Sequence, residues 1–314
     1  MEALTLGLSG YIGLLLLMGS LVPGALIAAF AAETIFGLGR GKFWDKMGQQ
    51  FAAMGVKALF CFLLLALPAL LWLARIPEDP LRFILGPGGR ILRMALLPLL
   101  VGWLGMAVYS GSWVQLRRNR TLHRVLGGVS LLGVLGGLYC GLNLLLPWMV
   151  HGRLPSFDVA VWKAIWVPAI WAVWPALAAV IGNGVGGAGI AGMGYLILRR
   201  NKDDFGRDYY RFAMPQAARW GLLLLAPVAI LAGWLGFRGV AWTTVLASSL
   251  ALVGIAALAG VWLNARVIRS SHPLRLKGGA LAACLLAWVL DAALVCSLLL
   301  RAGGIPAGAV SFPF

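Results

Sequence analysis

Residues 91–150 read ILRMALLPLLVGWLGMAVYSGSWVQLRRNRTLHRVLGGVSLLGVLGGLYCGLNLLLPWMV. Two apolar runs, Ile91–Trp113 and Val125–Pro147, flank a short turn that carries Arg117, Arg118, Arg120 and Arg124. Crossing a hydrocarbon core takes about 20 apolar residues, and each run supplies that length. The stretch therefore predicts a helical hairpin whose two arms cross a bilayer and whose turn sits in water. The rest of the chain repeats the pattern. Of 314 residues 61% are hydrophobic and 11% charged, whereas a soluble domain carries roughly 25% charged residues. An all-α polytopic membrane protein is the class these numbers leave.

The formal charge of +16, from 26 Lys and Arg against 10 Asp and Glu, would suggest a nucleic-acid partner in a soluble chain. Here the charges fall between apolar runs, so the expected partner is the lipid bilayer and no nucleic acid. Eight spans are expected, at Leu6–Phe36, Met54–Leu73, Ile91–Trp113, Val125–Pro147, Trp162–Leu198, Ala217–Trp234, Trp242–Val267 and Gly278–Leu300. The fifth is too long for one straight crossing. Its first part, with Trp162, Trp166, Trp171, Trp174, Pro168 and Pro175, reads as an interfacial segment feeding a span that starts near Pro175. Most basic residues fall in the connections after spans one, three, five and seven. By the positive-inside rule those loops are cytoplasmic and both termini lie outside, as in a multi-pass protein of a bacterial inner membrane. No basic residue precedes Arg40, so no cleaved signal peptide is expected. Cys61, Cys140, Cys284 and Cys296 all lie in apolar runs without C-x-x-C spacing and read as small core residues.

The turn in the quoted stretch recurs. Trp113 to His123 reads WVQLRRNRTLH and Trp262 to His272 reads WLNARVIRSSH, which align without gaps as W-x-[QN]-x-R-x-x-R-[ST]-x-H. With a looser likeness between the junctions after spans one and five, this predicts two tandem four-helix units, residues 1–150 and 151–314, related by an axis along the membrane normal.

Drawn on a helix, Trp113, Arg117 and Arg120 form one stripe, and Trp262, Arg266 and Arg269 another. Two readings stand. In one, the stripes with His123 and His272 are paired sites for anionic head groups or an acidic partner. In the other, Arg snorkels, Trp anchors the interface and Thr121 or Ser270 caps the next helix. A haem would need axial His or Met inside the bundle. The three histidines, His123, His151 and His272, all fall at span ends, so no haem or metal held by this chain alone is expected; a haem shared with another chain is left open. His151 is placed on the outside, where it either faces a partner's cofactor or is a plain loop residue.

Ionisable groups inside spans are functional candidates by default. Asp291, in AWVLDAAL, is the deepest, and its repeat mate is Leu142 beside Asn143. Asp291 either relays a proton near a quinol or hydrogen-bonds to a Trp or Ser of a neighbouring helix. Asn143, His151, Trp171 and Trp174 complete the quinone or proton candidates. Glu33 lies near the inner end of span one and reads as structural. The fifth span holds IGNGVGGAGIAGMG, where Gly182, Gly186, Gly187 and Gly189 invite close helix packing, with a broken-helix substrate site around Asn183 as the second reading.

The first 75 residues resemble the start of cytochrome bd quinol oxidase subunit I. The resemblance rests on GLLLLMGSLVPGALIAAFAAETIF (Gly13–Phe36), a span with a mid-helix Pro-Gly ending in Ala-Glu33, and on the amphipathic junction FWDKMGQQFAAMG from Phe43. It implies a respiratory, quinone-linked membrane subunit. Where that family carries a haem-ligating histidine in the first span this sequence has none, and the family's long outside quinol loop is reduced here to Leu235–Ala241. The expectation is thus a haem-free subunit of a multi-subunit respiratory electron-transfer complex. It would anchor cytochrome or iron–sulfur partners and contribute a quinone pocket rather than reduce oxygen itself. The alternative is a secondary transporter or channel built from the two repeats.

Overall fold

A computed structural model describes residues 2–39, 41–73, 90–151, 172–200, 205–230 and 244–301. Among them the regular structure is helical throughout: α1 (Glu2–Gly37), α2 (Lys42–Leu73), α3 (Arg90–Gly111), α4 (Arg120–His151), α5 (Val173–Arg199), α6 (Gly206–Gly221), α7 (Thr244–Arg269) and α8 (Lys277–Arg301). Seven stretches are long and apolar enough to cross a membrane, and α3 adds a shorter apolar length, Leu96–Gly111. The chain is a multi-pass helical membrane protein.

Helix boundaries follow local chemistry more than hydropathy. The chain leaves α1 through Gly39 and Gly41, whose φ angles of 80° and 95° only glycine adopts readily. It then enters α2 at Lys42, twelve residues before the apolar run that was expected to begin the second span at Met54. The amphipathic junction is the first three turns of that same helix. Likewise α6 starts at Gly206 with an amphipathic turn, and its candidate span runs on through a 3-10 turn at Leu222–Leu224 to Ile230. α5 begins at Val173, beside the expected Pro175. The Trp-rich segment before it, and Trp171 within that segment, lie outside the described residues.

Two compact units make up the chain: Val22–Ile181, and Met1–Leu21 with Gly182–Phe314. In the first, α3 packs against α4 along its length, and α2 packs on α3. Their backbones approach so closely that a Cβ on Gly102 would stand 2.5 Å from the Val134 nitrogen, and one on Gly133 2.8 Å from the Pro98 carbonyl. In the second unit, α7 packs against both α8 and α6. The glycines of α5 face α6 and its continuation towards Ile230: a Cβ on Gly189 would meet the Ala217 carbonyl at 2.5 Å, one on Gly186 the Leu224 backbone, and one on Gly182 Ala226 at 2.6 Å. Between helices in lipid there is little hydrophobic drive to associate, so close backbone contact supplies the attraction. Gly187 is looser, 3.3 Å from Leu17.

Candidate functional site

Each unit encloses one cluster of buried polar side chains. In the second unit the cluster is Ser20, Asn183 and Asp291, from α1, α5 and α8. Asp291 is 0% exposed and Asn183 3%. The Asn183 amide donates from Nδ2 to Asp291 Oδ2 at 3.1 Å and to Ser20 Oγ at 2.9 Å, while the Ser20 hydroxyl donates to the Leu17 carbonyl at 3.1 Å. The packing that brings them together is that of small residues: a Cβ on Gly13 would stand 2.6 Å from Ala292 Cα. Two oxygens stay without a hydrogen-bond partner among the described residues, Asp291 Oδ1 and Asn183 Oδ1. A buried carboxylate with an idle oxygen is costly as packing alone, and it is equipped to take a proton or a donor from something else. The partner of Asp291 is the amide of the Gly-rich helix, where the sequence suggested a Trp or Ser.

In the first unit the cluster sits at the basic end. Glu33 of α1 and His123 of α4 are both 0% exposed. The Tyr109 hydroxyl donates to Glu33 Oε2 at 2.7 Å, His123 Nδ1 lies 2.8 Å from Glu33 Oε1, and His123 Nε2 lies 3.0 Å from the Tyr109 carbonyl. That carbonyl belongs to the last turn of α3, where carbonyls run out of helical donors, and the imidazole shares it with the Ser112 hydroxyl, which donates to it at 3.3 Å. The His123 ring stacks on Tyr109 with centroids 4.4 Å apart and meets Trp113 edge-on at 4.7 Å. Outside this core, Arg120 forks onto Asp45, with Nη1 2.9 Å from Oδ1 and Nη2 3.0 Å from Oδ2, and the Trp113 indole donates to Asp45 Oδ1 at 3.2 Å.

The junction that the sequence drew as a Trp113–Arg117–Arg120 stripe is not one helix. α3 stops at Gly111, a 3-10 turn covers Gln115–Arg118, and α4 begins at Arg120. Asn119 caps it, its Oδ1 accepting from the Leu122 N–H at 3.1 Å, so Asn119 rather than Thr121 provides that bond. The break turns Trp113 and Arg120 inward onto Asp45 and leaves Arg117 exposed. In the second copy Trp262, Arg266 and Arg269 do share one helix, α7. There Trp262 is 57% exposed with the Arg266 guanidinium 4.8 Å over its ring, and His272 is exposed. The two copies thus place like residues in unlike surroundings.

Asn143 donates to the Tyr139 carbonyl of its own helix at 3.0 Å. One turn back, the Tyr139 ring lies 5.4 Å from Trp174 of α5, which is half-exposed. The side chain of His151 is outside the described residues. Asp45, Tyr109 and Ser20 were not singled out from the sequence. The available signal was the scarcity of acid, since Glu33, Asp45 and Asp291 are three of only 10 acidic residues. A cavity of about 20 Å³ beside Asn264, Gly221 and Leu290 has room for one water, which would serve the Asn264 Oδ1 that lacks a partner among the described residues.

No protein-family model matches the chain, and no curated protein matches it either.

Proposed function

We propose that this chain is a haem-free integral membrane subunit of a multi-subunit respiratory electron-transfer complex, anchoring cytochrome or iron–sulfur partners and handling protons inside the bilayer. The observation that carries the reading is Asp291, a fully buried carboxylate with one oxygen held by Asn183 and the other without a donor among the described residues. The likeness of the first 75 residues to cytochrome bd quinol oxidase subunit I supports the respiratory setting. His123, the buried histidine among the described residues, has both ring nitrogens engaged, which supports a chain that holds no haem through it.

A quinone, which supplies two-electron, two-proton chemistry when bound, fits the Tyr139–Trp174 pair better than the Asp291 cluster. The aromatic pair offers a half-exposed ring face with Asn143 one turn further along α4, whereas Asp291, Asn183 and Ser20 are all buried and present no such face. In this reading Trp174 stacks on the quinone ring, Tyr139 and Asn143 supply hydrogen-bonding groups, and Asp291 is a separate proton acceptor. The test is quinol-linked turnover of the intact complex with Asp291→Asn and Asn143→Leu. Each variant is expected to lower turnover at least tenfold, and full activity in both would remove the assignment.

A second reading, a secondary transporter, draws on the same cluster, because Ser20, Asn183 and Asp291 come from three helices of one unit. Counterflow uptake by proteoliposomes under an ion gradient, abolished by Asp291→Asn, would favour it.

A further inference from the structure

The Glu33–His123 contact counts its own protons. A carbonyl oxygen only accepts, so the 3.0 Å contact with the Tyr109 carbonyl requires hydrogen on His123 Nε2. On the other side Nδ1 faces Glu33 Oε1 at 2.8 Å, and a hydrogen must lie between them too. Either an imidazolium donates to a carboxylate or a carboxylic acid donates to a neutral imidazole. Both descriptions contain the same single proton and leave the pair with no net charge. Without it, two lone pairs would face each other at hydrogen-bond distance, at a contact where neither residue has any exposure to water. The observed arrangement is therefore the proton-bound one.

A route and a compensating charge lie alongside. Arg120 Nη1 is 3.9 Å from Glu33 Oε1, and Arg120 and Asp45 are each 18% exposed. Among the described residues the charged and titratable groups around the pair are Asp45 from α2, Tyr109 from α3, and Arg120 and Arg124 from α4, the last with its guanidinium packed where a Cβ on Gly37 would stand. With the proton in place, Glu33–His123 and Asp45–Arg120 are two neutral pairs. Once it leaves, Arg120 is the cation at hand to neutralise Glu33.

We propose that Glu33 and His123 form a binding site for one exchangeable proton, reached from the adjacent membrane surface past Asp45 and Arg120, and that its release transfers Arg120 from Asp45 to Glu33. This does not depend on the respiratory reading, since a transporter would use such a site equally.

The test is nitrogen-15 NMR of the histidine side chains in the full chain reconstituted in lipid vesicles. His123 is assigned as the signal lost in His123→Gln or, where that variant does not fold, as the signal displaced by Glu33→Gln. His151 and His272 serve as internal references. The wild type is expected to lose the Nδ1 proton in one step as pH rises. Arg120→Gln removes the charge that supports the deprotonated pair and should move that step to higher pH. Asp45→Asn releases Arg120 towards Glu33 and should move it down. A His123 signal unchanged by pH across the range in which the protein stays folded would overturn the proposal, as would two variants that leave the step in place or move it the same way. Those outcomes describe a permanent structural clasp.

Discussion

At the residue scale, Asp291 and Glu33 show how two fully buried carboxylates differ once their partners are known. Glu33 has a hydrogen-bond partner on each oxygen, whereas Asp291 has a partner on one only among the described residues. That Asp291 matters was legible, because an acid inside an apolar run stands out. That Asn183 holds it was not, because the two are 108 positions apart and nothing local links them. Glu33 read as structural for the same reason: its partners lie 76 and 90 positions away. Asp291→Ala leaves the Asn183 amide short of an acceptor and should cost about 1–3 kcal/mol, measured by thermal unfolding in detergent. Asp291→Asn keeps the shape and should cost less than that in stability while losing activity. The histidines make a paired prediction. His123→Ala strips a donor from the Tyr109 carbonyl and a partner from Glu33, and should destabilise by about 2–4 kcal/mol. His272→Ala, at the equivalent point of the repeat but exposed, should stay within about 0.5 kcal/mol.

At the scale of elements, hydropathy located the helices and misjudged some of their ends. An apolar-run criterion sees only the part of α2 that lies in lipid, so it started the span at Met54. The helix begins at Lys42 because amphipathic residues at a surface satisfy the backbone in the same way. The gapless motif meets different local structure in its two copies. Gly111 ends α3 two residues before Trp113, while α7 continues seven residues past Trp262, so one motif yields a buried clasp and an exposed stripe. The Gly-rich α5 was legible as a packing helix because small residues at this density have few other uses. Its contacts predict a graded response. Gly189→Ala drives a Cβ to 2.5 Å from the Ala217 carbonyl and the Gly221 nitrogen and should destabilise by about 1–3 kcal/mol. Gly254→Ala in α7 meets nothing within 4 Å and should be neutral or stabilising by up to about 1 kcal/mol. Thermal unfolding of the two variants side by side checks both.

At the scale of the whole molecule, composition alone specified a multi-pass helical protein, since 61% hydrophobic and 11% charged residues leave no soluble solution. We propose the orientation that the basic turns predict by the positive-inside rule. The account places Arg117 and Arg118 on the cytoplasmic side, so a cysteine introduced at either position should react with a membrane-permeant thiol reagent and resist an impermeant one in intact cells. The partners were beyond reach of the sequence, because the exposed residues of α3, α4, α7 and α8, such as Leu104, Leu132, Leu258 and Leu285, are apolar alike whether lipid or another subunit covers them. The central claim is membership of a respiratory complex. Its most direct test is mild-detergent purification from the native membrane, with a reduced-minus-oxidised visible spectrum and mass spectrometry on the same fraction. The account predicts haem absorption bands together with stoichiometric cytochrome or iron–sulfur subunits, whereas a colourless fraction containing this chain alone would contradict it.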